Sequence, residues 1–445
     1  MKIMAFTAFI LSGAVLAAAP QVVKDSVVLA QDPLTRDIKI TYTLSGAPGI
    51  VTVDILTNGV SIGAEHFQNV SGDVNHKVEP GADIKEIHWR KPYNTWNDHG
   101  GVGFPATAVV TAWATNSPPT YMVIDTETLL PADFRFYPCA EAIPGGVTND
   151  IYKTKYLVMR RVYATGVMWR MGTPAAETNT YFKASDSRAQ DVPPHLVILT
   201  NDYYLGVYEL TQKQWQNAYG NSGAGGEKAQ PSAFKNVTDA DLRPVENIAW
   251  KTFRGDGDAG ASYNWPSNGH DVDPSYFLGK MRSKTGLMFD LPTSAQWEFA
   301  CRAGCTLTNN LYGVSIDDLA WHSGNWRDDP VSLLAANGCS NQTHAVGQKL
   351  PNAWGFYDML GNVEEWCLDR KYANNAALAA SCNADGTPSI EPQGAIATSG
   401  NRARRGGAFI DVSAHSRCGH EIFGWSQAAK NKILGLRLWC PAVVP

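Results

Sequence analysis

In the stretch DIKITYTL, apolar side chains at Ile38, Ile40, Tyr42 and Leu44 alternate with Lys39, Thr41 and Thr43. That period of two belongs to a strand with one buried face and one wet face. GIVTVDIL and ATAVVTAWAT keep the same β-branched and aromatic bias, and turn residues such as Asn58-Gly59 separate the runs. About seven such runs between residues 22 and 115 predict a small all-β sandwich. Nothing in this stretch looks catalytic, so an adhesion or spacer role is expected of it. The alternation then stops. Residues 116–151, which contain NSPPTYMVIDTETLLPADFRFYPCAEAIPGG, are rich in proline and turn residues, with one strand-like piece, YMVID, and are expected to form an ordered connector. A second domain is expected over 152–445, where Trp, Gly and Asn rise while regular periodicity weakens.

The first residues set the expected compartment. Lys2 precedes an apolar run from Ile3 to Leu16 and then Ala17-Ala18-Ala19, the pattern of a secretory signal peptide over residues 1–18. Pro20 disfavours a cut directly before it, and the absence of a cysteine after the run argues against a lipid anchor. No later stretch approaches the roughly 20 apolar residues of a membrane span. The protein is therefore expected to be secreted or periplasmic. In such an oxidising compartment pairing is the default for the cysteines, at 139, 301, 305, 339, 367, 382, 418 and 440. Lys and Arg number 37 against 42 Asp and Glu, and no basic cluster is interleaved with aromatics. Nucleic acid is not an expected partner.

Two short helices follow from the sequence with a mechanism. In LPTSAQWEFACRAG, Thr293 can cap a helix and Gln296 can reach back to it, with Trp297 and Cys301 on one face and Gly304 near the end. ELTQKQWQNAYG repeats the device with Thr211 as cap, Gln214 as its partner and Trp215 facing the core. Near the C-terminus, RRGGAFIDVSAHSRCGHE sets the thiol of Cys418 between His415 and His420, with Asp411 seven positions before it. Three readings of this segment are open: a metal site, a nucleophile with its base, or half of a disulfide.

Taken in order, GVYELTQKQW, RPVENIAW, FDLPTSAQWEFACRAG, PNAWGFYDMLGNVEEW, RRGGAF and LGLRLWC resemble the formylglycine-generating enzyme, or sulfatase-modifying factor, family from about residue 152 onward. The resemblance implies an α+β fold: an irregular C-type-lectin-like formylglycine-generating-enzyme domain, here preceded by the small all-β sandwich. It also implies structural calcium. In the matching loop the ligands would be Asp358, Glu365 and the carbonyls of Gly361 and Val363, oxygen donors of the kind calcium requires. A second calcium site would match Asn325 and Trp326, although its other half aligns poorly around Gly338.

The catalytic chemistry departs from the pattern. Enzymes of the family oxidise a sulfatase cysteine to formylglycine with copper(I) held by two thiolates after the Gly-Gly pair. Laid on that pattern without gaps, the two thiolate positions fall on Asp411 and Ser416, and a nearby family serine falls on Ala408. Neither carboxylate nor hydroxyl replaces sulfur for soft Cu(I), so copper is not expected. The resemblance further implies a disulfide between Cys301 and Cys418. An alternative is a non-haem metal oxidoreductase in which Asp411, His415 and His420 bind iron or zinc. Two roles follow as expectations: an enzyme with altered chemistry in residues 406–421, acting on an exported protein or small thiol, or a binding member that recognises an exported protein, peptide or glycan without turnover.

Overall fold

The computed structural model describes residues 18–66, 70–91, 106–173, 189–191, 193–219, 229–255, 263–305, 314–325, 342–370, 382, 386–395, 401–422 and 425–445. The expected signal peptide lies outside these residues except for Ala18, as do Trp326, Gly338 and Cys339. The chain divides into two compact units, one formed by Met1–Gly63 and Asn69–Thr115, the other by Ala64–Gln68 and Asn116–Pro445.

The first unit is all β among its described residues. Ile38–Tyr42 buries Ile38, Ile40 and Tyr42 and turns Lys39 outward, as its alternation dictates. It lies between the antiparallel strands Val28–Gln31 and Lys85–Trp89, and the latter pairs in turn with Val70–Gly72. A second antiparallel sheet centres on Gly49–Thr57, which pairs along its whole length with Ala106–Ala114. Asn58 and Gly59 both have positive φ, 52° and 78°, and turn Gly49–Thr57 back into Val60–Ser61. This is the conformation that makes Asn-Gly a two-residue hairpin turn.

The second unit begins earlier than the sequence suggests. The stretch 116–151, expected as a connector, supplies two strands of this unit's own five-stranded antiparallel sheet. The sheet runs Arg135–Tyr137, Tyr121–Asp125, Tyr156–Val162, Tyr203–Gly206 and Trp439–Pro441. All five residues of the strand-like YMVID are buried, with Arg135–Tyr137 and Tyr156–Val162 paired along its two edges. The second large sheet runs Ala189–Asp191, His420–Ile422, Arg402–Arg405, Glu364–Arg370 and Leu434–Gly435.

Both capped helices form where their residues dictate. For Ser294–Arg302, Thr293 Oγ1 accepts from Gln296 N at 3.2 Å while Gln296 Oε1 accepts from Thr293 N at 2.9 Å. For Gln212–Tyr219 the reciprocal bonds between Thr211 and Gln214 are 3.2 and 3.1 Å. Trp215, Trp297 and Cys301 are fully buried. With so little regular structure, long side chains brace the interior. The Trp250 indole donates to the carbonyl of Cys367 and the Trp366 indole to that of Ile248, both at 3.1 Å. Arg254, Arg405 and Arg437 are buried against acids.

Candidate functional site

Two neighbouring regions of the second unit hold the residues singled out from the sequence. The first is the turn after Arg402–Arg405. Gly406 and Gly407 have φ of 93° and 76°, a left-handed conformation that glycine adopts without penalty. A Cβ on Gly407 would also stand 3.1 Å from Ser416 Oγ and 3.2 Å from the His415 carbonyl. The glycine pair thus lets the chain fold down onto the short 3-10 helix Ser413–His415.

Asp411, His415 and His420 come together here, lining a cavity of about 40 Å³ with Glu364, Arg404 and Trp425. Their geometry does not converge on a metal. Asp411 Oδ2 accepts from Ala408 N at 3.0 Å, and Oδ1 lies 3.6 Å from His415 Nδ1. The imidazoles of His415 and His420 stack, with centroids 5.0 Å apart and planes 11° apart. Nitrogen lone pairs lie in the ring plane, so two parallel rings point theirs side by side rather than at a common ion. His420 Nδ1 is also 3.4 Å from the Arg417 guanidinium. Among the described residues no three His, Cys, Asp or Glu side chains form a metal-holding group.

Ser416 is fully buried, and its Oγ has no protein hydrogen-bond partner. Cys418 is part of the buried core, where its Sγ lies 2.6 Å from Cys301 Sγ on the capped helix. Burial, with Cys418 beside it, pushes the Cys301 thiol well above its usual range, so it is not a thiolate poised for attack.

The second region is the YDMLGNVEEW loop. Asp358 has φ 52° and is almost fully buried; its Oδ2 accepts from Gly347 N at 2.6 Å, while Oδ1 has no protein partner. Gly361 must be glycine, because a Cβ there would stand 2.2 Å from the Trp321 carbonyl. Glu365 is committed elsewhere: Arg437 donates to both of its oxygens at 2.8 to 3.1 Å, and the Trp297 indole donates to Oε2 at 2.7 Å. A third acid, Glu209 of ELTQ, completes the cluster. It accepts from Val363 N at 3.1 Å and from Asn362 Nδ2 at 2.7 Å. Burial, then the charges of Asp358 and Glu365, push the Glu209 carboxyl well above the carboxylate range. Burial likewise pushes Asp358 up to about 6.

This donor set fits calcium in part. The charge of Arg437 acts on both Glu209 and Asp358, but its guanidinium bonds Glu365 alone among the three buried acids, and Asp358 Oδ1 has no protein partner. Glu365, expected as a ligand, is instead turned to Arg437 and Trp297. Sequence reasoning missed Glu209, which carries no local signal linking it to a loop about 150 residues away. At the expected second site, Asn325 uses its amide within its own loop, donating to the carbonyls of Asp317 and Ala320 and accepting from His322 N.

A domain of short capped helices and small sheets, with a Gly-Gly turn beside a buried acid loop, defines a formylglycine-generating-enzyme-like protein. The chain belongs to the sulfatase-modifying factor enzyme 1-like domain family, whose profile matches residues 160–440. Among relatives, "Chaperone protein LppX" of Paenibacillus barcinonensis is 31% identical over 212 residues, covering 42% of this chain and 68% of that one. The formylglycine-generating enzyme of Thermomonospora curvata is 28% identical over 185 residues, covering 41% of this chain and 50% of the enzyme. This chain thus spans about half the length of that enzyme. A solved structure, Treponema denticola variable protein 1, aligns at 22% identity with a TM-score of 0.43, covering 64% of this chain and 95% of that one. No helix among the described residues is long and apolar enough to cross a membrane.

Proposed function

We propose that this protein is an exported, diverged member of its family that binds a partner protein or peptide and does not oxidise a cysteine with copper. One observation carries the reading. At the two positions where the family resemblance places thiolates stand a carboxylate bonded to Ala408 N and a buried hydroxyl, while the neighbouring sulfur, Cys418, faces Cys301. Cu(I) held by two sulfurs has no counterpart in that arrangement. The relative named as a chaperone supports a protein partner, and the apolar run from Ile3 to Leu16 supports export.

In an oxidising compartment Cys301 and Cys418 would join as a disulfide, tying the capped helix to the segment after the glycine pair. Calcium would be held by Asp358 Oδ1 with the carbonyls of Gly361 and Val363, offsetting the excess negative charge of Glu209, Asp358 and Glu365.

The test is incubation of the full chain with a sulfatase-type C-x-P-S-R peptide, copper and oxygen, read by mass spectrometry. Conversion of CH2SH to CHO would lower the peptide mass by about 18 Da, a loss of sulfur beyond the ordinary cysteine oxidation ladder. The expected result is no such product. Catalytic appearance of that product, abolished in Asp411→Ala, would overturn the reading.

A further inference from the structure

A cavity of about 570 Å³ opens elsewhere in the second unit, lined by none of the residues of the two regions described above but including Thr293 and Gln296 of the capped helix. Its volume falls within the roughly 300–1,000 Å³ of small-molecule sites. One side is apolar. Trp265 and Trp439 flank His270, whose ring stacks on Trp439 at 4.7 Å and 11° and meets Trp265 at 4.8 Å. The chain from Pro441 to Val443 continues that side, with Val443 exposed.

The other side is polar, and its charges other than that of Glu391 are already paired. Asp202 takes Arg161 through Nε and Nη2 at 3.1 and 2.7 Å, and its Oδ1 accepts from Ala164 N, Thr165 N and Thr165 Oγ1. The remaining guanidinium hydrogens of Arg161 go to Ser117 Oγ and the Pro118 carbonyl. Asp290 holds His270 Nδ1 at 2.9 Å and is itself neutralised by the buried Arg254. Among the described residues, these ion pairs shape the wall and leave no unpaired cation on it.

Uncharged groups and one carboxylate oxygen remain for a ligand. Gln296 spends Oε1 on Thr293 N, and its amide NH2 has no bond within the fold. Gln393, whose main-chain carbonyl accepts from the Trp265 indole at 3.2 Å, also lines the cavity. Fixing Nδ1 of His270 on Asp290 leaves its Nε2 edge for a ligand. Glu391 stands at φ 44°, with Oε1 held by Thr200 N and Oγ1 at 2.5 and 2.9 Å, so its second oxygen is positioned in advance.

We propose that this cavity binds a neutral sugar, a one- or two-ring pyranoside. A pyranose has a face of C–H groups that packs on aromatic and aliphatic carbon, and a rim of hydroxyls that both donate and accept. Amides, an imidazole edge and one carboxylate oxygen match that rim. A sulfated or carboxylated sugar would bring negative charge to a wall whose described residues hold no unpaired cation and include the carboxylate of Glu391, at a desolvation cost. The site is separate from residues 406–421, so the proposal stands or falls independently of the copper reading.

The test uses the full-length protein and a panel of methyl glycosides and disaccharides: glucose, galactose, N-acetylglucosamine, cellobiose and maltose, with glucuronic acid and a mixed tripeptide library as comparators. Saturation-transfer NMR and tryptophan fluorescence report binding. The expected result is saturable binding of at least one neutral sugar with a change in tryptophan emission. Gln393→Ala should weaken it about three- to tenfold, the worth of one neutral hydrogen bond, with an unchanged melting curve. Should Gln393→Ala melt early, Asn201→Ala on the same wall provides the comparison. No saturation transfer to any neutral sugar, tighter binding of glucuronic acid or of peptides, or an affinity indifferent to these substitutions would each overturn the proposal.

Discussion

Asp369 offers a test of how the buried polar network holds the helix to the sheet. Its Oδ2 accepts from Ser294 N at 2.6 Å, at the first turn of the capped helix. Beside it, Glu421 Oε2 takes Ser294 Oγ at 2.5 Å and Arg405 Nη2 at 3.0 Å. Burial, then the negative charge of Glu421, push the Asp369 carboxyl from 3.8 up to about 7, although Ser294 N–H and Arg405 pull the other way. The folded state therefore binds this proton more tightly than the unfolded chain does. For an acid whose folded value is raised, the unfolded chain releases its proton first. Stability then falls as pH climbs from about 4 to about 7, and the cost is complete above that window. A rise of roughly three units corresponds to at most about 4 kcal/mol.

Asp369→Asn keeps an oxygen for Ser294 N–H and removes the titration. Urea unfolding followed by tryptophan emission at pH 4.5, 6 and 8 compares the two proteins. Stability of the variant relative to wild type should rise steadily with pH, reaching a gain of up to about 4 kcal/mol at pH 8. Other buried acids titrate in the same range, Glu246 among them, pushed up to about 7 by burial. They are common to both proteins and cancel in the difference. Parallel curves across the range would show that Asp369 is ionised in the fold at little cost, refuting the argument.

Three further outcomes are expected. Non-reducing peptide mapping of protein from an oxidising compartment should recover Cys301 joined to Cys418, and Cys418→Ser should cost about 2–5 kcal/mol; recovery of both as free thiols would remove the cross-link. A chelator should lower the melting temperature of wild type, since an ion that binds only the folded state stabilises it, and Asp358→Ala should abolish that sensitivity; equal melting of all four samples would remove the ion. Arg437→Met should destabilise by about 3–5 kcal/mol, because Glu365 would be left buried without its bidentate partner, whereas a loss under 1 kcal/mol in urea unfolding would mean the cluster is neutral or wet.

What the sequence determined by itself is what local physics settles. Alternation from Ile38 to Tyr42 places a strand face, Asn58-Gly59 places a hairpin turn, and the Thr293–Gln296 and Thr211–Gln214 pairs cap helices through bonds spanning three residues. Ordered motifs were enough to identify the family of the second unit; the Cys301–Cys418 disulfide they imply is not formed in the structure, where both are free thiols with sulfurs 2.6 Å apart. Tertiary structure alone decided the rest. Whether Asp411, His415 and His420 converge on an ion depends on ring orientation, which spacing does not encode, and the rings stack. That Glu365 meets Arg437 and Glu209 meets the Asp358 loop depends on chain segments 72 and about 150 residues apart in sequence. The strand Tyr121–Asp125 was legible as YMVID, but its place in the second unit's sheet was not, because pairing with Arg135–Tyr137 and Tyr156–Val162 is decided by the fold rather than by neighbouring residues. Local hydrogen bonds and periodicity are written in neighbouring residues. The partner of a buried charge is fixed only when the whole chain has closed around it, since leaving it unpaired there costs more than any local preference supplies.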